Sequence, residues 1–336
     1  MRPASGYDRE VMSEDGTGRG DDAPRGGTPP DATRRQAPPE ETLAGADASA
    51  GGVTDHGPAW SASWARAPEA DLEFWLAFAL AACDEADEIA LRGFRRDVAV
   101  MTKPDRSFVT DADHAVERMI RGRITSAFPD HGVVGEEYGS EAGSTDARWY
   151  IDPIDGTHNF IRGVPLFGTL LALEVGGEIQ LGVASAPALR ERWYARRGGG
   201  AWSVGAAATE GPRRIRTSRV ERLEDAQVFY GSGRDIAASG RAPGFQALLD
   251  DVWRERGIGD FWGYTLLAEG AAEAMIEVDL KAWDVAAPLA IVEEAGGRIT
   301  DFEDGRRLDS GTILASNGLL HAELLRRITA ADAASA

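Results

Sequence analysis

The stretch Trp149-Tyr150-Ile151-Asp152-Pro153-Ile154-Asp155-Gly156-Thr157 constrains this chain more than any other. An apolar run that ends in two carboxylates, a proline, a glycine and a threonine reads as a buried strand that stops abruptly and gives way to a new element. Pro153 has no amide hydrogen and restricts the residue before it, so Asp152 and Asp155 do not join a regular helix around it and are expected to converge at the strand end. Two acids three residues apart, with a backbone carbonyl between them, form a hard-oxygen cluster of the kind Mg2+ takes. The amides of Gly156 and Thr157, at the start of the following element, form a ready cradle for phosphate. On these residues alone, a polar turn with Asp as cap and Gly at positive φ accounts for the pattern equally well.

Further acids along the chain shift that balance. Asp111 and Asp113 follow Met101-Thr102-Lys103-Pro104-Asp105-Arg106-Ser107-Phe108-Val109-Thr110 and open a helix expected to run toward Phe128. By themselves they are helix N-terminal acids favoured by the dipole. His131 to Gly139 reads as a short strand closed by Glu136 and Glu137, which face opposite sides if the strand continues. It is expected beside the strand that carries Asp152. Asp284, in Lys281-Ala282-Trp283-Asp284-Val285-Ala286-Ala287-Pro288, opens an apolar helix that ends at Glu294-Ala295-Gly296-Gly297, with Pro288 tolerated near the first turn.

A length of 336 residues with 43% hydrophobic residues supplies one large domain or two ordinary ones. The formal charge of -19 excludes a general nucleic-acid surface, so any anion is bound locally by metal or backbone. Cys83 is the only cysteine, which rules out an intrachain disulfide and a cysteine-based zinc site and fits a reducing compartment. Residues 1–68 are rich in Gly, Pro, Ala, Asp and Arg and are expected to form a disordered tail. No apolar h-region follows Met1, Arg34-Arg35 precedes no apolar run, and no apolar stretch is long enough to span a bilayer. The expectation is a cytoplasmic protein without a membrane partner.

Apolar residues from Leu72 to Ile89 recur at helical spacing and predict an amphipathic helix from Asp71 to about Arg96. Residues 166 to 204 read as a meander of strands: Leu166 to Val175, Ile179 to Ser185, Arg192 to Arg196 and Gly200 to Val204. After a joint near 205 to 216, a second half carries a strand at Ala226 to Tyr230 and a helix around Phe245 to Arg256. His114, His158 and His321 lack ligand spacing and receive no role.

Taken together, Val109-Thr110-Asp111-Ala112-Asp113, Gly135-Glu136-Glu137, Trp149 to Thr157 with Asn159-Phe160, and Trp283 to Ala287 with Glu294 to Gly297 resemble the inositol monophosphatase superfamily of metal-dependent, lithium-sensitive phosphatases. The resemblance runs in family order over roughly residues 70 to 330. It implies a layered αβαβα sandwich (α+β / α/β), usually homodimeric. A half at 70–210 would carry most metal ligands and a half at 211–330 would supply Asp284 and the specificity pocket. Glu136, Asp152 and the carbonyl of Ile154 would hold one Mg2+, and Asp152, Asp155 and Asp284 a second. A weaker third ion would lean on Glu136. Asp113 and Thr157, counted with Glu136 in the catalytic set, would orient and deprotonate the attacking water. The amides of Gly156 and Thr157 would contact phosphate, and Lys103 would sit in a mobile loop over the site.

Arg254 to Tyr264 lacks the small Gly-Ser/Thr-Ala run of inositol-specific members and resembles the histidinol-phosphatase branch, as do Val183 to Leu189 and Arg192 to Ala195. Asp260 and Glu277 would then pair with the ammonium and imidazole of L-histidinol while Phe261 or Trp262 stacks on the ring. For Asp260 the alternative is an N-cap for a helix beginning at Phe261. Three functions follow: a histidinol-phosphate phosphatase, an inositol monophosphatase or broader sugar or nucleotide phosphatase of the same superfamily, and a catalytically silent scaffold. Asp-Gly-Thr also ends the motif of haloacid dehalogenase-type phosphatases, but that motif sets its acids two apart and Asp152 and Asp155 are three apart.

Overall fold

The computed structural model describes residues 69–96, 99–103, 108–205 and 211–330, so the tail expected over 1–68 lies outside the described residues. In chain order the elements are α1 (Glu69–Gly93), β1 (Val100–Thr102), β2 (Phe108–Thr110), α2 (Asp111–Ala127), β3 (Gly132–Gly135), β4 (Gly139–Glu141), β5 (Ala147–Asp155) and α3 (Thr157–Ile161). There follow β6 (Gly168–Val175), β7 (Glu178–Ala186), β8 (Glu191–Arg196), β9 (Gly200–Gly205), β10 (Arg213–Ile215), β11 (Gln227–Tyr230), α4 (Gly233–Ile236) and α5 (Ala242–Asp251). Last come β12 (Arg254–Gly257), α6 (Asp260–Ala268), β13 (Ala274–Val278), α7 (Ala282–Glu294), β14 (Arg298–Thr300), β15 (Thr312–Ser316) and α8 (His321–Thr329).

An eight-stranded sheet has the order β10-β9-β8-β7-β6-β5-β3-β4, and a five-stranded sheet the order β12-β11-β13-β15-β14. Only β3 and β5 pair in parallel in the large sheet. Its central strands are buried on both faces, which is why they read as near-continuous apolar runs. Trp149, Ile151, Leu171 and Leu181 pack against Cys83, Val116 and Ile120 of α1 and α2. Tyr150, Leu170 and Ala172 face the opposite way, into a core shared with Phe261, Leu267, Val285 and Ile291 of α6 and α7. Beyond the small sheet, Phe245, Leu248, Leu324 and Ile328 of α5 and α8 close a third core. The layers therefore run helix, sheet, helix, sheet, helix, the αβαβα sandwich expected.

The predicted meander is present as β6 to β9, and the predicted helices at Asp71 and Asp111 as α1 and α2. Three expectations are corrected. The helix read to Arg256 stops at Asp251, and Arg254–Gly257 instead forms edge strand β12 beside β11. Its polar sequence hides a strand whose residues face largely toward solvent. Part of the joint is also strand, since Arg213–Ile215 pairs with β9. Pro288 lies in the second turn of α7, not near the first, and its missing N–H leaves the carbonyl of Asp284 without its helical donor.

Candidate active site

The register of β3 on β5 brings the first acids together. Gly135 lies opposite Ile151, and the amide of Glu136 donates to the carbonyl of Ile151 at 3.2 Å, so Glu136 leaves its strand beside Asp152. The strand does not continue past Gly135, as the sequence had left open. Residues 136–138 form a turn, and Glu136 and Glu137 both accept from the Lys103 ammonium, each at 2.7 Å. They share one cation and do not face opposite sides. Lys103 follows β1; the loop beyond it, residues 104–107, lies outside the described residues. Burial works to lower the Lys103 pKa, but its hydrogen bonds to the two glutamates outweigh this and raise it.

Between Asp152 and Asp155 the pairing with β6 slips: Asp152 lies opposite Leu170 and Asp155 opposite Gly168. Residues three apart on a regular strand point to opposite faces, and one extra residue at a bulge restores them to the same face. Pro153 needs no ladder donor, and its carbonyl accepts from the Thr169 hydroxyl at 2.9 Å. Convergence of the two acids thus comes from a bulge within β5, not from a helix that Pro153 prevents. Asp284 reaches the same point from the first turn of α7, where its carboxylate accepts from the Lys281 amide at 2.7 Å. Ligand oxygens of Asp152, Asp155 and Asp284 lie within 4.8 Å of one another.

Each acid resists ionisation. Burial, then the charges of Glu136, Asp155 and Asp284, raises Asp152 well above the usual carboxylate range. Asp155 is raised likewise by burial and by Asp260 and Asp284, against the Phe261 amide that donates to it at 2.6 Å. Burial pushes Asp284 up to about 7. The inner oxygen of Asp152, Oδ1, is buried with no hydrogen-bond partner. Crowded hard-oxygen donors with an orphaned buried oxygen are a set that a divalent cation fits. The Ile154 carbonyl accepts from the Thr157 hydroxyl at 2.9 Å, and that hydroxyl is 3.4 Å from Oδ1 of Asp113. Asp113 is fixed by the Thr110 amide and hydroxyl at 2.9 and 2.6 Å and is raised to about 6 by burial. Gly156, at φ 79°, begins the turn into α3.

Asp260 and Glu277 lie on the other side. Asp260 is not a side-chain N-cap: Gly259 holds that position, and α6's first amides go to Glu277, which accepts from the Asp260 amide at 3.0 Å, and to Asp155. The Asp260 carboxylate accepts from Asn159 at 3.2 Å. Glu277 is pushed up to about 8 by burial, against the opposing pull of the Tyr264 hydroxyl beside it. Both acids line a cleft of about 220 Å³ that also contains Glu136, Asp152, Asp155 and Asp284. They also line an adjoining cavity of about 590 Å³. Both aromatics line the larger cavity, but Trp262 is half-buried, whereas Phe261 is 1% exposed and packed 6.1 Å from the Trp193 ring. Of the two aromatics proposed for stacking, Phe261 is a core residue.

Sequence reasoning quoted Asn159 within a motif but gave it no role, whereas its amide group joins the Leu166 carbonyl at 2.9 Å to Asp260; it missed the buried pair Glu117 and Arg121 of α2, 2.7 Å apart. The signal for that pair was present: an acid and a base four apart on the stripe of Val116 and Ile120. His158 lines both cavities, and His321 is buried far along the chain between Thr300 and Ser316.

Known proteins resemble the chain at this level of detail. A histidinol-phosphatase of Mycobacterium tuberculosis is 43% identical over 258 residues, covering 76% of this chain and 98% of that protein. One of Streptomyces coelicolor is 44% identical, covering 72% and 92%. Among solved structures, Thermotoga maritima IMPase superposes with a TM-score of 0.66 at 32% identity, covering 76% of this chain and 96% of that one. The model of the inositol monophosphatase family matches residues 71–333, and the chain belongs to that family.

Proposed function

We propose that the protein is a Mg2+-dependent phosphomonoesterase that hydrolyses L-histidinol phosphate to L-histidinol and phosphate. The observation that carries the substrate is the pair of half-buried Asp260 and buried Glu277, two acids that line both the larger cavity and the cleft of the acidic trio. A leaving group with an ammonium and an imidazole satisfies both acids. A neutral polyol leaves one of them unpaired. The histidinol-phosphatases above support the same reading.

The family is metal-dependent, and the acids fit such a role. Glu136, Asp152, the Ile154 carbonyl, Asp155 and Asp284 would hold two Mg2+ ions with Asp152 shared, and a third would lean on Glu136. When bound, the ions supply neutralisation of phosphate charge and electrophilic activation. The chain's own groups do the rest. Thr157 and Asp113 orient the attacking water, with Asp113 taking its proton as the new P–O bond forms. The Gly156 and Thr157 amides hold the phosphate in line, and as the ester P–O bond breaks the leaving oxygen takes a proton from solvent water and departs as the alcohol. No protein nucleophile is needed. In this reading the 211–330 half supplies specificity and the 70–210 half most of the ligands. The protein works as a cytoplasmic homodimer on a small phosphorylated metabolite.

Asp260→Ala tests the substrate. It is expected to lower kcat/KM for histidinol phosphate at least ~30-fold while changing that for p-nitrophenyl phosphate less than ~3-fold, on the scale of a lost charged hydrogen bond. Equal losses on both would return Asp260 to a structural role.

A further inference from the structure

We propose that Glu117 of α2, with Arg121, is a positioning residue that fixes Glu136 and thereby sets the affinity of the site for its divalent cation. Glu136 stands on the turn 136–138 between β3 and β4, where its own amide is held by the Ile151 carbonyl and the next two amides point to α2. Glu117, fully buried beneath it, accepts the amide of Glu137 at 2.7 Å and that of Tyr138 at 3.1 Å. It also accepts from Arg121 Nε at 2.7 Å, and the Arg121 guanidinium donates onward to the carbonyl of Gly139. Amides after Glu136 and a carbonyl at the far end of the turn are thus clamped by one ion pair four residues apart on one helix.

The fit leaves no slack. A methyl added at Gly135, the residue before Glu136, would lie 2.1 Å from Glu117 Oε1. Asp113 precedes Glu117 by one turn on the same face of α2 and contacts Thr157. α2 therefore holds Glu136 and the Asp113–Thr157 pair in one rigid frame. Groups behind a ligand orient it, and their loss typically weakens metal affinity by ~10- to 100-fold. Glu117 touches neither the cavity lining nor a reacting group, so its effect passes through the turn.

The inference rests on the reading of Glu136 as a cation ligand, and the test separates the two. Mn2+ binding to the purified full chain, by electron paramagnetic resonance, is compared among wild type, Glu136→Gln, Glu117→Gln and Glu117→Asp. Expected are at least ~10-fold weaker binding in Glu117→Gln, partial recovery in Glu117→Asp, and faster hydrogen exchange at the Glu137 and Tyr138 amides. The Mn2+ needed for half-maximal activity should rise by the same factor while KM for the phosphate ester stays within ~2-fold. If Glu117→Gln does not fold, Arg121→Gln, which frees the Gly139 end and takes the ion-pair partner from Glu117 while leaving the Glu137 and Tyr138 amides on it, carries the same expectations. Unchanged Mn2+ affinity in Glu117→Gln, with weaker binding in Glu136→Gln, overturns the positioning role alone. Unchanged affinity in Glu136→Gln overturns the ligand reading itself.

Discussion

Asp152 carries a buried oxygen without a donor while Glu136, Asp155 and Asp284 press negative charge toward it. Such a residue costs stability until a cation arrives. Two consequences follow for Asp152→Asn. Turnover with Mg2+ should drop at least ~1,000-fold, because the shared ligand is lost. Thermal scans should show a Tm without Mg2+ equal to or above that of the wild type, and no rise on adding Mg2+. For the wild type, Mg2+ at a hundred times its Kd should add about 2.7 kcal/mol, a Tm rise of several degrees. A wild-type Tm indifferent to Mg2+ would contradict this. His321 makes a different prediction. Burial between the Thr300 and Ser316 hydroxyls lowers its pKa to about 4, from an unfolded value near 6.5. A depressed histidine gives stability that is fully present above pH ~6.5 and lost as pH falls toward 4, by up to about 3 kcal/mol. Urea midpoints at pH 7 and 4.5 should therefore fall further apart in the wild type than in His321→Gln; parallel shifts would reject the assignment.

At the scale of elements, two contacts set the geometry: the β3–β5 register and the seat of α7 on β7. An added methyl at Gly182 would lie 2.5 Å from the Ala287 carbonyl, backbone against backbone, so Gly182→Ala must push α7 and its Asp284 away from the sheet. The variant is expected to lose about 1–3 kcal/mol by overpacking and to need several-fold more Mg2+ for half-maximal activity. Denaturation and metal titration check both. Lost stability with an unchanged metal requirement would show that Asp284 is indifferent to the seat of its helix. What the sequence disclosed at this scale follows from periodicity. The strand at Trp149, the meander and helices α1 and α2 were legible because each buries a regular face. The β5 bulge was not, because Asp152-Pro153-Ile154-Asp155 gives the parity of the acids only once β6 is alongside. β12 was illegible because Arg254-Glu255-Arg256-Gly257 has no apolar face and is strand only through its pairing with β11. The acids of the candidate site were legible as four ordered motifs. The Glu117–Arg121 clamp went unread although its place on the stripe of Val116 and Ile120 was in the sequence, since an i,i+4 ion pair on a helix normally faces water.

The whole molecule joins these parts by layering. α6 and α7 lie between the two sheets, so the N-termini of α6 and α7 meet the ends of β3 and β5 at one cleft. With 55 acidic against 36 basic residues, the chain has no electrostatic attraction for a phosphate ester at long range. In the proposed reading, divalent cations in the cleft would reconcile an acidic protein with an anionic substrate, while Asp260 and Glu277 would turn the same acidity toward a cationic leaving group. Among the described residues no helix is long and apolar enough to cross a membrane. The most direct measurement is phosphate release by the purified protein with Mg2+, and with chelator, from L-histidinol phosphate, inositol 1-phosphate and fructose 1,6-bisphosphate side by side. The expected result is Mg2+-dependent hydrolysis with a kcat/KM for histidinol phosphate at least ~100-fold above the others, about 3 kcal/mol of transition-state preference. Comparable rates on all three esters would contradict the role given to Asp260 and Glu277, and release that persists in chelator would contradict the metal site.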